Sequence, residues 1–205
     1  MIYCWWFTGT DVLTTVNDDD VLLMVNQNWE KEVHTGVVFE DWGFIYCIPF
    51  SVTKDAELQD FQYKLIHRIL ITNSFIHRCV LKETELCTFC TETKESIVHI
   101  FWECNYVRNF WLAIGNFLKI CGASLPLNAK DIILGLTEHI SAQGTINNVL
   151  IILKYYIYVC KCRCSALNLE GGLQFLKYAI NIEQASMINL SPVQKEHIKR
   201  KWLDL

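Results

Sequence analysis

Three cysteines and one histidine fall inside the segment "CTFCTETKESIVHIFWEC", residues 87 to 104. Their order is Cys87-x2-Cys90-x8-His99-x4-Cys104. Zinc takes four tetrahedral ligands drawn from thiolate sulfur and imidazole nitrogen, and this set supplies four. A C-x2-C pair can form a tight turn that aims both sulfurs at one ion, and the loop "TETKESIV" is long enough to reverse the chain. Ser96 can cap a short helix that presents His99. On a straight α-helix, positions five apart lie about 140° out of phase, so the helix is expected to end or bend before Cys104. Three thiolates and an imidazole leave no coordination position open. The expected Zn2+ is therefore structural and activates no water.

A second cysteine cluster, "CKCRC" at 160–164, has no histidine or carboxylate close in sequence. Cys160 and Cys164 are expected to share a helix face, with Cys162 pointing away. These are expected to be packing cysteines flanked by Lys161 and Arg163. Phe101 and Trp102, between the ligands, could stack on bases. The reading preferred here is that they form the small core that a metal loop needs. Basic side chains lead into the loop: Lys64 and Arg68 at i,i+4 with His67 adjacent, then Arg78 and Lys82 with His77. Such a group could grip a polyanion through phosphate contacts, whereas each residue taken singly fits a solvated helix face. "KEHIKRKW" (195–202) is a second basic patch.

The elements around these residues are mainly helical. "VLLMVNQNWEKEV" (21–33) is a short helix after a solvated turn at "NDDD" (17–20). "DWGFIYCIPF" (41–50) is expected to be extended or looping, ending at Pro49. Residues 53–70 show the clearest helical period, with Leu58, Phe61, Leu65 and Ile69 on one stripe and Ile66 beside it. Thr53 or Asp55 could cap its start. A short capped helix follows at 72–81. Then comes a helix over 106–122 whose apolar positions are Phe110, Trp111, Ile114, Phe117, Leu118 and Cys121, with Gly122 as its stop. "LNAKDIILGL" is a shorter helix, the stretch around 145–167 is apolar nearly all round, and one or two basic-ended helices close the chain.

Composition sets the limits. The chain has 205 residues, 52% of them hydrophobic, which excludes intrinsic disorder. Only three prolines and nine glycines interrupt it. The net charge of −4 is unevenly spread: residues 1–60 carry Lys31 and Lys54 against eleven acidic groups, while residues 61–205 carry sixteen basic against eleven acidic. Charge acts within a Debye length of about 10 Å, so the whole-chain value does not exclude a polyanionic partner. Ten cysteines are too few for a disulfide scaffold of this size. "MIYCWWFTGTD" lacks a secretory pattern. The most apolar run, 149–160, contains Lys154 and falls short of the roughly 20 residues that span a bilayer. The expected setting is intracellular and reducing, nucleus or cytoplasm, with no membrane partner.

"LQDFQYKLIHRILITNSF" followed by "LCTFCTETKESIVHIFWECNYVRNFW" resembles the zinc-binding region at the C-terminal end of LINE-type, non-LTR retrotransposon reverse transcriptases. The shared pattern is a helix of the form FQ-x-hydrophobic-x-HRIL-x-TN, a C-x-FC pair, an acidic–hydrophobic–His stretch, and an FW-x-C ending with FW again shortly after. The approach "DWGFIYCIPFSVTKDAELQ", the downstream "ILKYYIYVCKC" and the ending "KRKW" fit as well, so the resemblance covers about residues 27–205. Asn105 stands where the family has proline. The carboxylate pair that holds the polymerase's two metal ions is not found, and "NDDD" lacks the flanking strands.

The resemblance implies a non-catalytic accessory that binds RNA or DNA beside a reverse-transcriptase domain absent from this chain, with Cys87, Cys90, His99 and Cys104 as ligands. Lys64, His67, Arg68 and Arg78 are the expected backbone contacts, on charge geometry. The alternative is a docking domain that packs on the polymerase, its zinc only fixing the fold. The expected architecture is mainly α, an irregular helical domain built around one small CCHC zinc knuckle. Its expected parts are an acidic, partly irregular segment (1–52), the helices with the metal loop (53–122) and a helical region packed on them (123–205).

Overall fold

The computed structural model describes residues 18–33, 39–120, 128–137 and 143–185. The fold is mainly α, and among these residues there is no strand; one antiparallel bridge joins Leu86 to Lys94. The helices are α1 (Asp18–Val33), α2 (Phe39–Val52), α3 (Ala56–Ile66), α4 (Asn73–Arg78), α5 (Asn105–Ile120), α6 (Ala129–Leu134), α7 (Gln143–Cys162) and α8 (Leu169–Ala185). A five-residue π turn, His99–Glu103, precedes α5. "KEHIKRKW", Cys121 and Gly122 lie outside the described residues.

The nearly all-apolar sequence of α7 makes it the axis of the core, because a helix without a polar face must be covered on every side. It packs against α2, α3 and α8. Its buried positions include Val149 to Lys154, Tyr156, Ile157 and Cys160. In α3, the expected stripe delivers Leu58, Phe61, Leu65 and Ile66 into this core. Of the two cap candidates Asp55 is the cap: its carboxylate accepts from the backbone N–H of Glu57 and Leu58. Trp29 of α1 is buried and donates its indole N–H to the Ile66 carbonyl at 2.7 Å, satisfying a group left open at the end of α3. Buried residues from all three expected segments share one cluster.

Four expectations change. Residues 39–52 form helix α2, not an extended segment: Trp42, Ile45 and Ile48 recur on its buried side, and Pro49 lies inside its last turn, where its missing N–H leaves the i−4 carbonyl, that of Ile45, without its helical donor. Asp18 to Asp20 belong to the first turn of α1 rather than to a turn before it. Ile69 leaves the stripe because α3 ends at Ile66 and Arg68 adopts φ 61°; its side chain is 59% exposed. Finally, α7 stops at Cys162 and Cys164 takes φ 49°, so Cys160 packs in the core while Cys162 and Cys164 are exposed.

Candidate metal centre

The metal loop leaves α4 and returns on itself through a short two-sided pairing. Glu95 N–H donates to the Glu85 carbonyl at 2.9 Å and Cys87 N–H to the Thr93 carbonyl at 2.8 Å, flanking the Leu86–Lys94 bridge. The C-x2-C turn hangs from this arch. Thr91 N–H closes it onto the Cys87 carbonyl at 2.9 Å, with Thr91 itself at φ 57°. Phe89 N–H points at the Cys87 sulfur, 3.4 Å away. The loop thus reverses the chain as its length allows, and Cys87 ends up buried with Cys90 half-buried beside it.

Ser96 starts the second half as expected, accepting from His99 N–H at 3.0 Å. The widened turn that follows solves the phase problem between His99 and Cys104. Cys104 N–H bonds to the His99 carbonyl at 2.9 Å, an i→i+5 closure that fits one extra residue into the turn. The turn then ends at Cys104, which takes φ −58° and ψ 127° before α5 begins. Phe101 is fully buried, bonds through its carbonyl to the Trp111 indole and packs edge-on to Phe61, so it is core. Trp102 is half-buried with the Arg108 guanidinium 5.5 Å from its ring.

The four side chains converge. One ligand atom from each of Cys87, Cys90, His99 and Cys104 lies within 4.8 Å of every other. The Cys87 and Cys104 sulfurs are 3.9 Å apart, and the Cys90 sulfur is 3.4 Å from His99 Nε2. A tetrahedral ion with ordinary metal–sulfur and metal–nitrogen bonds would set these edges at about 3.8 and 3.6 Å. The donor set therefore fits a single tetrahedral metal ion. His99 Nδ1 faces outward, 3.9 Å from the Glu103 carboxylate, which leaves Nε2 for coordination.

The two facing sulfurs differ in their electrostatics. The hydrogen bond it donates to Cys104, together with burial, pushes the Cys87 thiol well up. Accepting that bond, Cys104 is drawn below its ordinary value, helped by backbone N–H groups of Val107 and Tyr106 at the start of α5. A bound cation would compete with the Cys87 proton for these sulfurs.

The expected basic contacts are placed unevenly. Lys64 is exposed and paired to Asp60 at 2.6 Å. His67 is half-buried against the rings of Tyr46 and Tyr63, and burial lowers its imidazole, leaving it neutral at pH 7. Arg68 binds Glu32 at 2.5 Å and lies over the Trp29 ring at 4.5 Å, so its charge joins α1 to α3. Arg78 is exposed, 6.0 Å from the Phe75 ring.

Sequence reasoning missed Glu95. In sequence it stands in the short loop "TETKESIV", yet it is fully buried. Its oxygens accept from Asn73 N–H at 2.7 Å, Thr88 N–H at 2.9 Å and the Thr88 hydroxyl at 3.0 Å, and Lys161 Nζ stands 3.5 Å away. A glutamate in a short polar loop carries no periodic signal that would mark it as interior. Comparison with protein-family models, with curated proteins and with solved structures found no match.

Proposed function

We propose that this chain is a zinc-stabilised, non-catalytic nucleic-acid-binding module, an accessory of the kind found beside LINE-type reverse transcriptases. The observation that carries the reading is the convergence of exactly three sulfurs and one imidazole nitrogen, a closed set that serves folding and leaves no site for a reacting water. In small zinc peptides such sites contribute about 10–16 kcal/mol of apparent binding energy. Zinc is favoured over other ions because thiolate-rich tetrahedral sites suit it. Exposed Arg78, next to the exposed Phe75 ring, offers a phosphate contact beside a stacking surface; Lys64 and Lys82 add exposed charge. Filter binding to single-stranded RNA and DNA, with and without chelator and across a salt series, tests the reading. Affinity should fall with salt and collapse on chelation; affinity indifferent to both would refute it.

A second reading, docking on a polymerase, is favoured by a different observation. Ile69, Ile71, Phe75, Val80 and Leu81 are exposed in and around α4, with Val80 90% exposed and at φ 59°. If that surface is the functional one, charge reversal at Lys64 and Arg78 will leave the weak nucleic-acid binding unchanged.

A further inference from the structure

Glu95 ties together three parts of the molecule that are distant in sequence. One carboxylate oxygen accepts from the first N–H of α4, at Asn73; the other accepts from both the backbone and the hydroxyl of Thr88, inside the C-x2-C turn. From α7, Lys161 Nζ reaches the same carboxylate at 3.5 Å while donating to the Ile71 carbonyl at 3.0 Å. The backbone of the same residue is held too: its carbonyl accepts from the Ser74 hydroxyl at 2.7 Å and its N–H bonds to the Glu85 carbonyl at 2.9 Å. Asn73 closes the circuit, its side-chain amide donating to the Leu86 carbonyl at 2.7 Å and to the Thr88 hydroxyl at 3.1 Å.

A fully buried carboxylate is costly unless its lone pairs are taken and its charge is balanced. Here both conditions are met by groups that must stay in place for the turn between Cys87 and Cys90 to keep its shape. None of these bonds involves His99 or Cys104, so the network supports one half of the donor set. The other half is supported separately by Ser96 and the π turn.

We propose that Glu95 is a positioning residue for the metal centre. It holds the Cys87–Cys90 turn against α4 and α7, so that two of the four ligands are set in place before the ion arrives. This rests on the metal reading above and goes further, assigning the preorganisation to one carboxylate outside the ligand set. Residues that orient ligands typically contribute 10–100-fold in metal affinity. Glutamine cannot replace Glu95, because both oxygens face backbone N–H donors and one position would become an N–H opposed to an N–H.

The test uses the full chain loaded with Co2+, read by its visible absorption and by competition with a chromophoric chelator. Wild type must bind one Co2+ with a tetrahedral thiolate spectrum; failure there overturns the metal reading itself. With that in hand, Glu95→Gln should retain its helical circular dichroism, bind Co2+ at least 10-fold more weakly, and show altered ligand-field bands. A Glu95→Gln protein with wild-type affinity and spectrum overturns the positioning role while leaving the metal reading intact. A purely structural role would lower thermal stability alone. Should Glu95→Gln fail to fold without metal, Thr88→Val, which replaces the hydroxyl bonded to Glu95 with a methyl group, decides on the same scale: about fivefold weaker Co2+ binding is expected, and unchanged binding overturns the proposal.

Discussion

The N–H of Cys104 closes onto the carbonyl of His99 at 2.9 Å, five residues back. That single bond converts what would be an α-turn into a π turn and brings two ligands to one side. Removing one residue should restore an α-turn and carry Cys104 away from His99. Deletion of Glu103, whose side chain is more than half exposed, should weaken metal binding by at least about 100-fold, beyond the 10–100-fold expected for a supporting residue. Glu103→Ala is the control and should lose far less. Chelator competition checks both, with circular dichroism confirming that helix content is kept.

Lys154 gives a pH prediction. Its amine donates to the Ile133 carbonyl at 2.8 Å from a side chain 1% exposed, and burial pushes it well below its ordinary value. Over the interval between that lowered value and about 10.5, the unfolded chain binds a proton that the folded chain does not. Stability contributed by this group therefore rises with pH across that window and falls as pH drops through it. Lys154→Met removes the titration. The Ile133 carbonyl keeps a donor in Gln62 Nε2, 3.2 Å away. The variant should be more stable by about 1 kcal/mol at pH 7, and its urea midpoint should vary less between pH 6 and pH 9.

Two arginines expected to act alike should separate. Arg68 lies over Trp29 and pairs with Glu32; Arg68→Ala should cost about 1 kcal/mol in stability. Arg78 is exposed; Arg78→Ala should leave stability within about 0.5 kcal/mol. On the proposed function, it should instead lower nucleic-acid affinity and reduce the salt slope by about one. Denaturant melts and salt-dependent filter binding on both variants distinguish the roles.

Gly135 ends α6 at φ 102°, a left-handed conformation that suits glycine. An added Cβ would stand 2.8 Å from Ile48 Cδ1 and 3.1 Å from Asn147 Oδ1. That oxygen accepts from Leu136 N–H at 2.7 Å, so the clash would disturb a buried bond between α7 and the segment after α6. Gly135→Ala should destabilise by about 1–3 kcal/mol, read as a lower urea midpoint with unchanged slope.

What was legible in the sequence was what periodicity and ligand spacing encode. The stripe Leu58, Phe61 and Leu65, the Thr72 cap, the largely apolar α7 and the convergence of Cys87, Cys90, His99 and Cys104 follow from local rules. The π turn did not, because one extra residue in a turn has no signature apart from the ligands it must align. Helix α2 was hidden by its aromatics and Pro49, which favour other structures locally and were overruled by burial of Trp42, Ile45 and Ile48 against the core. Buried Glu95 and Lys154 were illegible for a related reason: their partners come from distant segments. The fates of His67 and Arg68 likewise depend on Tyr46 and Glu32, which local sequence does not bring near.

The central claim is most directly tested by X-ray absorption at the zinc edge on protein purified from zinc-supplied cells, with the metal content measured on the same sample. The account predicts one zinc per chain, bound by three sulfurs at about 2.3 Å and one nitrogen at about 2.0–2.1 Å. Protein free of metal, or a zinc shell dominated by oxygen, would contradict it.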